Sequence, residues 1–517
     1  MKGSKWAWGL SAVLLVAAVA LVARGMVARY GSGTPPGGAS AGSTQTVDAE
    51  EPGVWLAGDM HTHTLITDGS VTQSEVARQA FETYALDWFA NSEHGGQASH
   101  DASGQPVKGM WRWRSLIDAS WPAVLIARSR YPMRLVVQGL EWGMPGLGEA
   151  SVGLVSGEPT SIASFEFAFD SADAATSGPS GAPAKDRRDA ASAVRAVAWL
   201  QANHQRTSYV QINHPSRKRP FSAADLRRLL DAGPDVVIGF EGFPGHQKAA
   251  VRGDYARPAV HSPKRAVVAT TGLTQGGADP MVAEVGGLWD SLLSEGRRFC
   301  VFANSDFHSE GSDFWPGEYA KSWTKAARGG DYDALVAGLQ SGRSFAVTGG
   351  LIDRLRFEAS SGGRRVAMGD EPLVVEPGAD VTITVRFRSP RRNAEGDEPA
   401  VDHVDLISND VTAPAAAGTP GYSKATSAAQ VARTFGGSGA NGTIRDSADR
   451  WREFTWVARG ITSDHYFRLR GTNLAPSTAG QTEPDGDPLP DAVPNSAVEA
   501  WKDLWFYSNP VWIDVRE

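Results

Sequence analysis

From about residue 53 the chain alternates short apolar runs with stretches of mixed polarity. Val54-Trp55-Leu56-Ala57 is the first run and predicts a strand. Thr72-x-x-Glu75 has the form of a capping box and predicts a helix to about Tyr84. "ALDWFANSEH" predicts a strand closing on Glu93 and His94, and "RLVVQGLEW" one closing near Glu141. A helix over "RRDAASAVRAVAWLQANHQ" precedes the strand "YVQINHP", which ends on His214. Ser222 caps a helix, "AADLRRLLDAG", and "DVVIGFEGF" is a strand ending on Glu241. "LWDSLLSEG" is helical, "RFCVFANSDFH" is a strand ending on Asp306 and His308, and "DYDALVAGLQSG" is a helix before the strand "SFAVTGG". This alternation implies an α/β fold with parallel strands and crossover helices. Continuous apolar runs fit strands covered on both faces, and about seven of them imply a closed or nearly closed barrel. Residues 156–186, rich in Ala, Ser and Gly, read as a surface insertion, and 243–286 as a long connection that covers the site.

After about residue 350 the pattern becomes all strand. "RLRFEA", "DVTITVRFR", "HVDLIS", "REFTWVARG", "HYFRLRG" and "LWFYSNPVWIDV" mostly alternate, with loops rich in Pro, Gly and Ser between them. They predict a β-sandwich-like domain over 351–517, with a long loop around 409–445.

The N-terminus follows neither pattern. Lys2 and Lys5 precede an apolar run from Trp6 to Ala23, closed by Arg24 and Arg29. Residues 1–30 therefore read as a signal peptide, with a small-x-small site at Ala18-Val19-Ala20, or as an uncleaved membrane anchor. Residues 31–52 have the composition of a tether. Either reading exports the body of the protein, to the periplasm or beyond or to the outer side of a membrane.

Composition narrows the partners. With 41% hydrophobic and 21% charged residues, the 517-residue chain is that of an ordinary globular protein. A formal charge of -8 argues against nucleic acid as partner. The one cysteine, Cys300, sits in an apolar run and predicts a buried strand residue. Oligomeric state is not legible.

Only 11 histidines occur, and five of them end predicted strands beside acids. Residues i and i+2 of a strand share a face, so His61 and His63 can hold one ion together, and Asp306-x-His308 repeats the spacing. Imidazole with carboxylate suits zinc, manganese or iron. The candidate ligands are His61, His63, Asp68, His94, Glu141, His214, Asp306 and His308.

These motifs resemble those of the polymerase and histidinol phosphatase (PHP) family of metallohydrolases. The family's HxH and following Asp-Gly stand here as His61-Thr62-His63 and Asp68-Gly69. Ser92-Glu93-His94 stands for its Asp-His, with Glu93 where Asp is usual. Gly139-Leu140-Glu141, Asn213-His214-Pro215 and Ser305-Asp306-Phe307-His308 complete the set, in the family's order, over about residues 53–350. The N-terminal segment and the extra β domain are similar to an exported branch that includes carbamate-ester hydrolases. The resemblance implies a distorted (β/α)7 barrel with two or three divalent ions. It implies His61, His63, Glu141 and Asp306 on one ion, and Asp68, His94 and His308 on another. Glu141 and His214 would serve a third ion or complete a two-metal pair. Where three-metal members carry a further ligand, this chain offers Glu241 or His246.

The implied activity is hydrolysis of a small phosphomonoester or diester by a metal-bridging hydroxide, with catalysis acting through the metals held by His61, His63, Glu141, His214, Asp306 and His308. Arg217, Lys218, Lys248 and Arg343 are candidate phosphate contacts. Two alternatives stay open: hydrolysis of a carbamate, ester or amide on the same metals, and a non-catalytic binding protein tethered at the envelope.

Overall fold

The structure is a computed structural model that describes residues 53–516 apart from 156, 218–219, 256–271, 328–329 and 492–496. The expected export segment, the tether and Lys218 lie outside the described residues.

Each apolar run that ends on a candidate ligand forms a strand. These are β1 (Val54–Asp59), β2 (Trp88–Asn91), β5 (Leu135–Gly143), β7 (Ser208–Ile212), β8 (Val237–Phe243) and β9 (Cys300–Ala303). β3 (Gln97–His100) and β4 (Pro106–Trp111) form a separate hairpin. Three more strands join the main sheet: β6 (Glu149–Leu154), β10 (Ala320–Ala326) and β11 (Ser344–Thr348). The order is β9-β8-β7-β6-β5-β2-β1-β10-β11. β6 and β10 run against their neighbours, which corrects the expectation of parallel strands only. The others share one direction, so their C-terminal ends gather on one side.

The sheet curls until its ends meet. Ser322 of β10 joins β9 through its hydroxyl, accepting from Ala303 N at 2.8 Å and donating to Ala303 O at 2.9 Å. Side chains thus bridge the seam where, among the described residues, no strand ladder does. The helix Ala190–His204 covers the outside with the stripe Ala193, Ala196, Val197 and Leu200. Asp189 caps it and accepts from Ser192 N at 3.0 Å. The expected surface insertion over 156–186 is corrected in part: the helix Thr160–Phe169 buries Ile162, Phe165 and Ala168 in the core, while most of 171–186 lies at the surface. Cys300 is buried in β9 as expected.

The C-terminal strands continue the same sheet. β11 pairs with β21 (Trp505–Ser508), which leads to β20 (His465–Thr472) and β22 (Val511–Val515), then to β14 (Leu373–Val375). β16 (His403–Asp410) pairs with β20 and with β17 (Gln430–Gly436), a strand inside the expected 409–445 loop. A second sheet runs β13 (Arg364–Ala367), β12 (Arg354–Ser361), β15 (Ala379–Arg388), β19 (Trp451–Ile461) and β18 (Arg445–Asp446). Alternate residues of β15, Val381 to Phe387, are buried, and Phe387 meets Phe506 of the first sheet at 6.3 Å between ring centres. The β region is two-layered, and the expected boundary near residue 350 is spanned by the β11–β21 pairing. Among the described residues, no helix is long and apolar enough to cross a membrane.

A buried ion pair fastens the two regions. Arg468 of β20 donates to both oxygens of Asp290, each at 2.7 Å, and stacks over Trp289. Tyr466 adds a bond to Asp290 at 2.9 Å. Removing one partner leaves an uncompensated buried charge, so Asp290→Ala is expected to cost about 3–5 kcal/mol. Denaturant unfolding of the variant against the parent chain measures this.

Candidate metal centre

Most candidate ligands follow the last residue of a strand, where the chain stops pairing and turns; Glu141 is still paired within β5, opposite Ser151 of β6. Asp59, the last residue of β1, is fully buried and holds two of these turns together. Its carboxylate accepts from His61 N at 2.9 Å and Ser305 N at 3.0 Å. Burial nevertheless pushes Asp59 up to about 7. His214 (φ 26°), His246 (φ 59°) and Asp306 (φ 47°) all have left-handed backbone, a conformation that needs support from its surroundings.

Nine residues converge, the eight candidate ligands and Glu149. His61 Nε2 lies 3.1 Å from Glu141 Oε1 and 3.1 Å from Asp306 Oδ1. His63 Nε2 lies 3.4 Å from Glu141 Oε2 and 3.3 Å from Asp306 Oδ1, while its Nδ1 is 3.3 Å from Asp68 Oδ1. Asp68 Oδ2 faces His94 Nε2 at 3.2 Å and His308 Nε2 at 3.4 Å. His214 Nε2 stands 3.3 Å from Glu141 Oε1 and 3.6 Å from Glu149 Oε2. Three groups could each hold an ion: His61, His63 and Asp306; His63, Asp68, His94 and His308; Glu141, Glu149 and His214.

Two observations test whether divalent ions fit. Ligands bonded at about 2.0–2.2 Å to one ion stand about 3.0–3.6 Å from each other, and the separations above match that spacing. His63 is completely buried, and its ring nitrogens face carboxylate oxygens at 3.3–3.4 Å without an aligned hydrogen bond to any of them. Nitrogen and oxygen atoms turned to one point without bonding each other suit a shared cation. The donor set is nitrogen and carboxylate oxygen, which suits zinc, manganese or iron.

Charge points the same way. Burial works to lower His61, but Asp306, Glu141 and Glu241 outweigh it and hold the ring well above its ordinary value. Burial works to raise Asp306, and His61, His246 and Arg217 outweigh it. Without ions, protons on the rings balance the carboxylates; a cation would replace those protons.

A surrounding layer orients the ligands. Glu241 is not among the converging groups. It accepts from His61 Nδ1 at 2.9 Å and from His214 N at 2.8 Å, fixing both. Glu93 is fully buried and grips the loop after His63, taking the hydroxyls of Thr64 and Thr67 and the amide of Thr64 at 3.2 Å. That loop carries Asp68. Asp313 accepts from His308 N, Ser309 N and Ser312 Oγ on one oxygen and from His246 Nδ1 at 2.6 Å on the other. A separation of 2.6 Å is a hydrogen bond and too close for two ligands of one ion. We therefore read the geometric group His246, His308 and Asp313 as a brace, not a site.

The candidate phosphate contacts are placed otherwise. Arg217 is buried and clamps Asp306 Oδ2 at 2.7 Å through Nη1, while its Nε donates to Gly253 O and its Nη2 to Gly245 O. Lys248 lies over the Phe314 ring and reaches Glu310 O at 3.2 Å. Arg343 precedes β11 at the end of the sheet remote from the ligands and pairs with Asp370. Sequence reasoning missed Glu149 and Asp313. Glu149 opens β6, a strand whose small residues gave no apolar run; an acid heading a strand antiparallel to β5 was the available signal.

No family model matches the chain, and no curated protein does. A solved two-domain protein from Bacteroides vulgatus, described as containing a predicted PHP-like metal-dependent phosphoesterase, is similar in structure. It has a TM-score of 0.34 and 12% identity over 85% of this chain and 95% of that one.

Two outcomes follow from this geometry. Glu93→Asp, one methylene shorter, should weaken the ion held by Asp68, His94 and His308 by about 10–100-fold, and chelator competition measures it. His308 is pushed up to about 9, because Asp68 and Asp306 outweigh an opposing burial effect. Its proton is held more tightly than in a free histidine, so ions must displace it below that pH. Apparent affinity should therefore rise with pH toward about 9, with proton release visible by calorimetry in buffers of different ionisation heat.

Proposed function

We propose that the protein is an exported metal-dependent hydrolase acting on small phosphomonoesters or diesters. The observation that carries this reading is the buried His63 at the meeting point of the ligand groups, facing Asp68, Glu141 and Asp306 without an aligned hydrogen bond. His61, His63, Glu141 and Asp306 would hold one ion, and Asp68, His94 and His308 a second. Glu141, Glu149 and His214 offer places for a third. Bound divalent ions would supply Lewis acidity, a nucleophilic water at neutral pH and neutralisation of charge on the ester oxygens.

The chain's own groups prepare that chemistry. Glu241 holds the His61 tautomer that presents Nε2 to the centre. Arg217 occupies Asp306 Oδ2 and leaves Oδ1 for the centre. Asp68 is 46% exposed and His94 33%, so the centre opens to solvent on their side. Cys300 offers no nucleophile: burial pushes its thiol up to about 12.

A second reading is hydrolysis of a carbamate or carboxyl ester on the same ligands. The commitment of Arg217 to Asp306 favours it, because it withdraws the expected phosphate clamp. Turnover of nitrophenyl phosphate, bis-nitrophenyl phosphate and an aryl carbamate by the full chain loaded with manganese, zinc or iron separates the readings. Phosphate ester cleavage is expected, and carbamate cleavage alone would move the function to carbonyl chemistry. His61→Ala and Asp306→Ala should each lower bound metal and reduce turnover by more than about 100-fold while the fold is kept. Unchanged metal content in both would contradict the assignment.

A further inference from the structure

Among the described residues, the exposed large apolar side chains are Leu125 (46% exposed), Ile126 (60%) and Met133 (90%). All three fall within nine consecutive residues, and scattered exposure would not produce that. Leu125 and Ile126 lie on the outer side of the helix Trp121–Arg130, whose Val124 and Ala127 face the core. Met133 sits in the turn between that helix and β5. Half-buried Trp121 and Tyr131 flank the trio. Arg128 stacks over Trp121, and Arg130 over Tyr131.

The charges here are largely matched. Arg130 pairs with Glu82 and Arg134 with Asp87, so apolar surface rather than charge is what the patch offers. Leu, Ile and Met bordered by Trp, Tyr and Arg is the composition of a surface that enters the interfacial region of a bilayer.

The position of the patch selects that occupant over another protein. Arg134, next to Met133, holds Asp87, whose other oxygen accepts from Ala57 N of β1 at 2.9 Å. The patch is therefore close to the strand by which the chain arrives from residues 1–52. The sequence of those residues reads as an apolar segment and a tether. β1, β2 and β5 run parallel; β2 and β5 start side by side, with Trp88 opposite Leu135 and beside Gly58 of β1, and the metal centre lies beyond their other ends.

We propose that Leu125, Ile126 and Met133 seat the protein on a lipid bilayer, with the mouth of the metal centre turned toward water. The proposal takes the uncleaved-anchor alternative for the N-terminal segment and does not depend on the reaction catalysed. A short tether raises the effective concentration of the patch at the surface, so a small apolar contact suffices to orient the body.

Cys300 is 3% exposed, so a single introduced cysteine can be labelled selectively. Nitroxide labels at Ile126→Cys and Met133→Cys are compared with Ala102→Cys, an exposed position on the β3–β4 hairpin beside the metal-centre end. The full chain is reconstituted in phosphatidylcholine–phosphatidylglycerol vesicles. Collision with oxygen relative to a water-soluble nickel chelate should be roughly threefold or more higher at 126 and 133 than at 102. Equal ratios at the three positions would overturn the proposal. So would failure of the chain to float with vesicles. Dipolar broadening between labels at 126 without lipid would overturn it in favour of a second copy of the chain.

Discussion

Everything in this molecule is arranged around one electrostatic constraint: carboxylates and imidazoles brought out of water must have their charges cancelled. Glu141 and Asp306 are almost wholly buried, and His61 and His63 are wholly so. A lone buried carboxylate would be protonated or would unfold its surroundings. Here burial does push Glu141 upward, and His61 and His94 more than reverse it. The centre is stable only as a set whose charges cancel.

The sheet supplies the geometry that makes the set possible. Strands of one direction bring their ends to one side, and the curl brings β9 back beside β10. His61 and Asp306, far apart in sequence, thereby come within 3.1 Å. The antiparallel strand β6 delivers Glu149 from the opposite direction, as no crossover strand would. Fixed partners behind the ligands keep them from turning: Glu241 behind His61 and Arg217 behind Asp306. The C-terminal strands extend the same sheet, and the Asp290–Arg468 pair fastens them.

Much of this was legible in the sequence, because strands buried on both faces are apolar throughout and their polar ends stand out. β1, β2, β5, β7, β8 and β9 were readable in that way, together with all eight candidate ligands that converge. β10 was not. Its buried face is Ala320, Ser322, Thr324 and Ala326, small residues that carry no hydrophobic period but fit a crowded seam. β6 was hidden for the same reason. The helix Thr160–Phe169 reads as surface in the sequence because its flanks are rich in Gly, Ser and Ala, although Ile162 and Phe165 mark a core face. Arg217 looked like a substrate contact because a basic run after a ligand normally faces solvent; the left-handed turn at His214 precedes its fold back onto Asp306. Tertiary contact, not local pattern, decided each of these.

The central claim is that this cluster binds divalent ions where His63 meets the carboxylates. Anomalous diffraction from crystals of the chain loaded with zinc or manganese tests it directly. The account predicts one peak between His61, His63, Glu141 and Asp306, and a second between Asp68, His94 and His308. Fully loaded crystals with no peak at either position, or with ions bound only elsewhere on the protein, would contradict it.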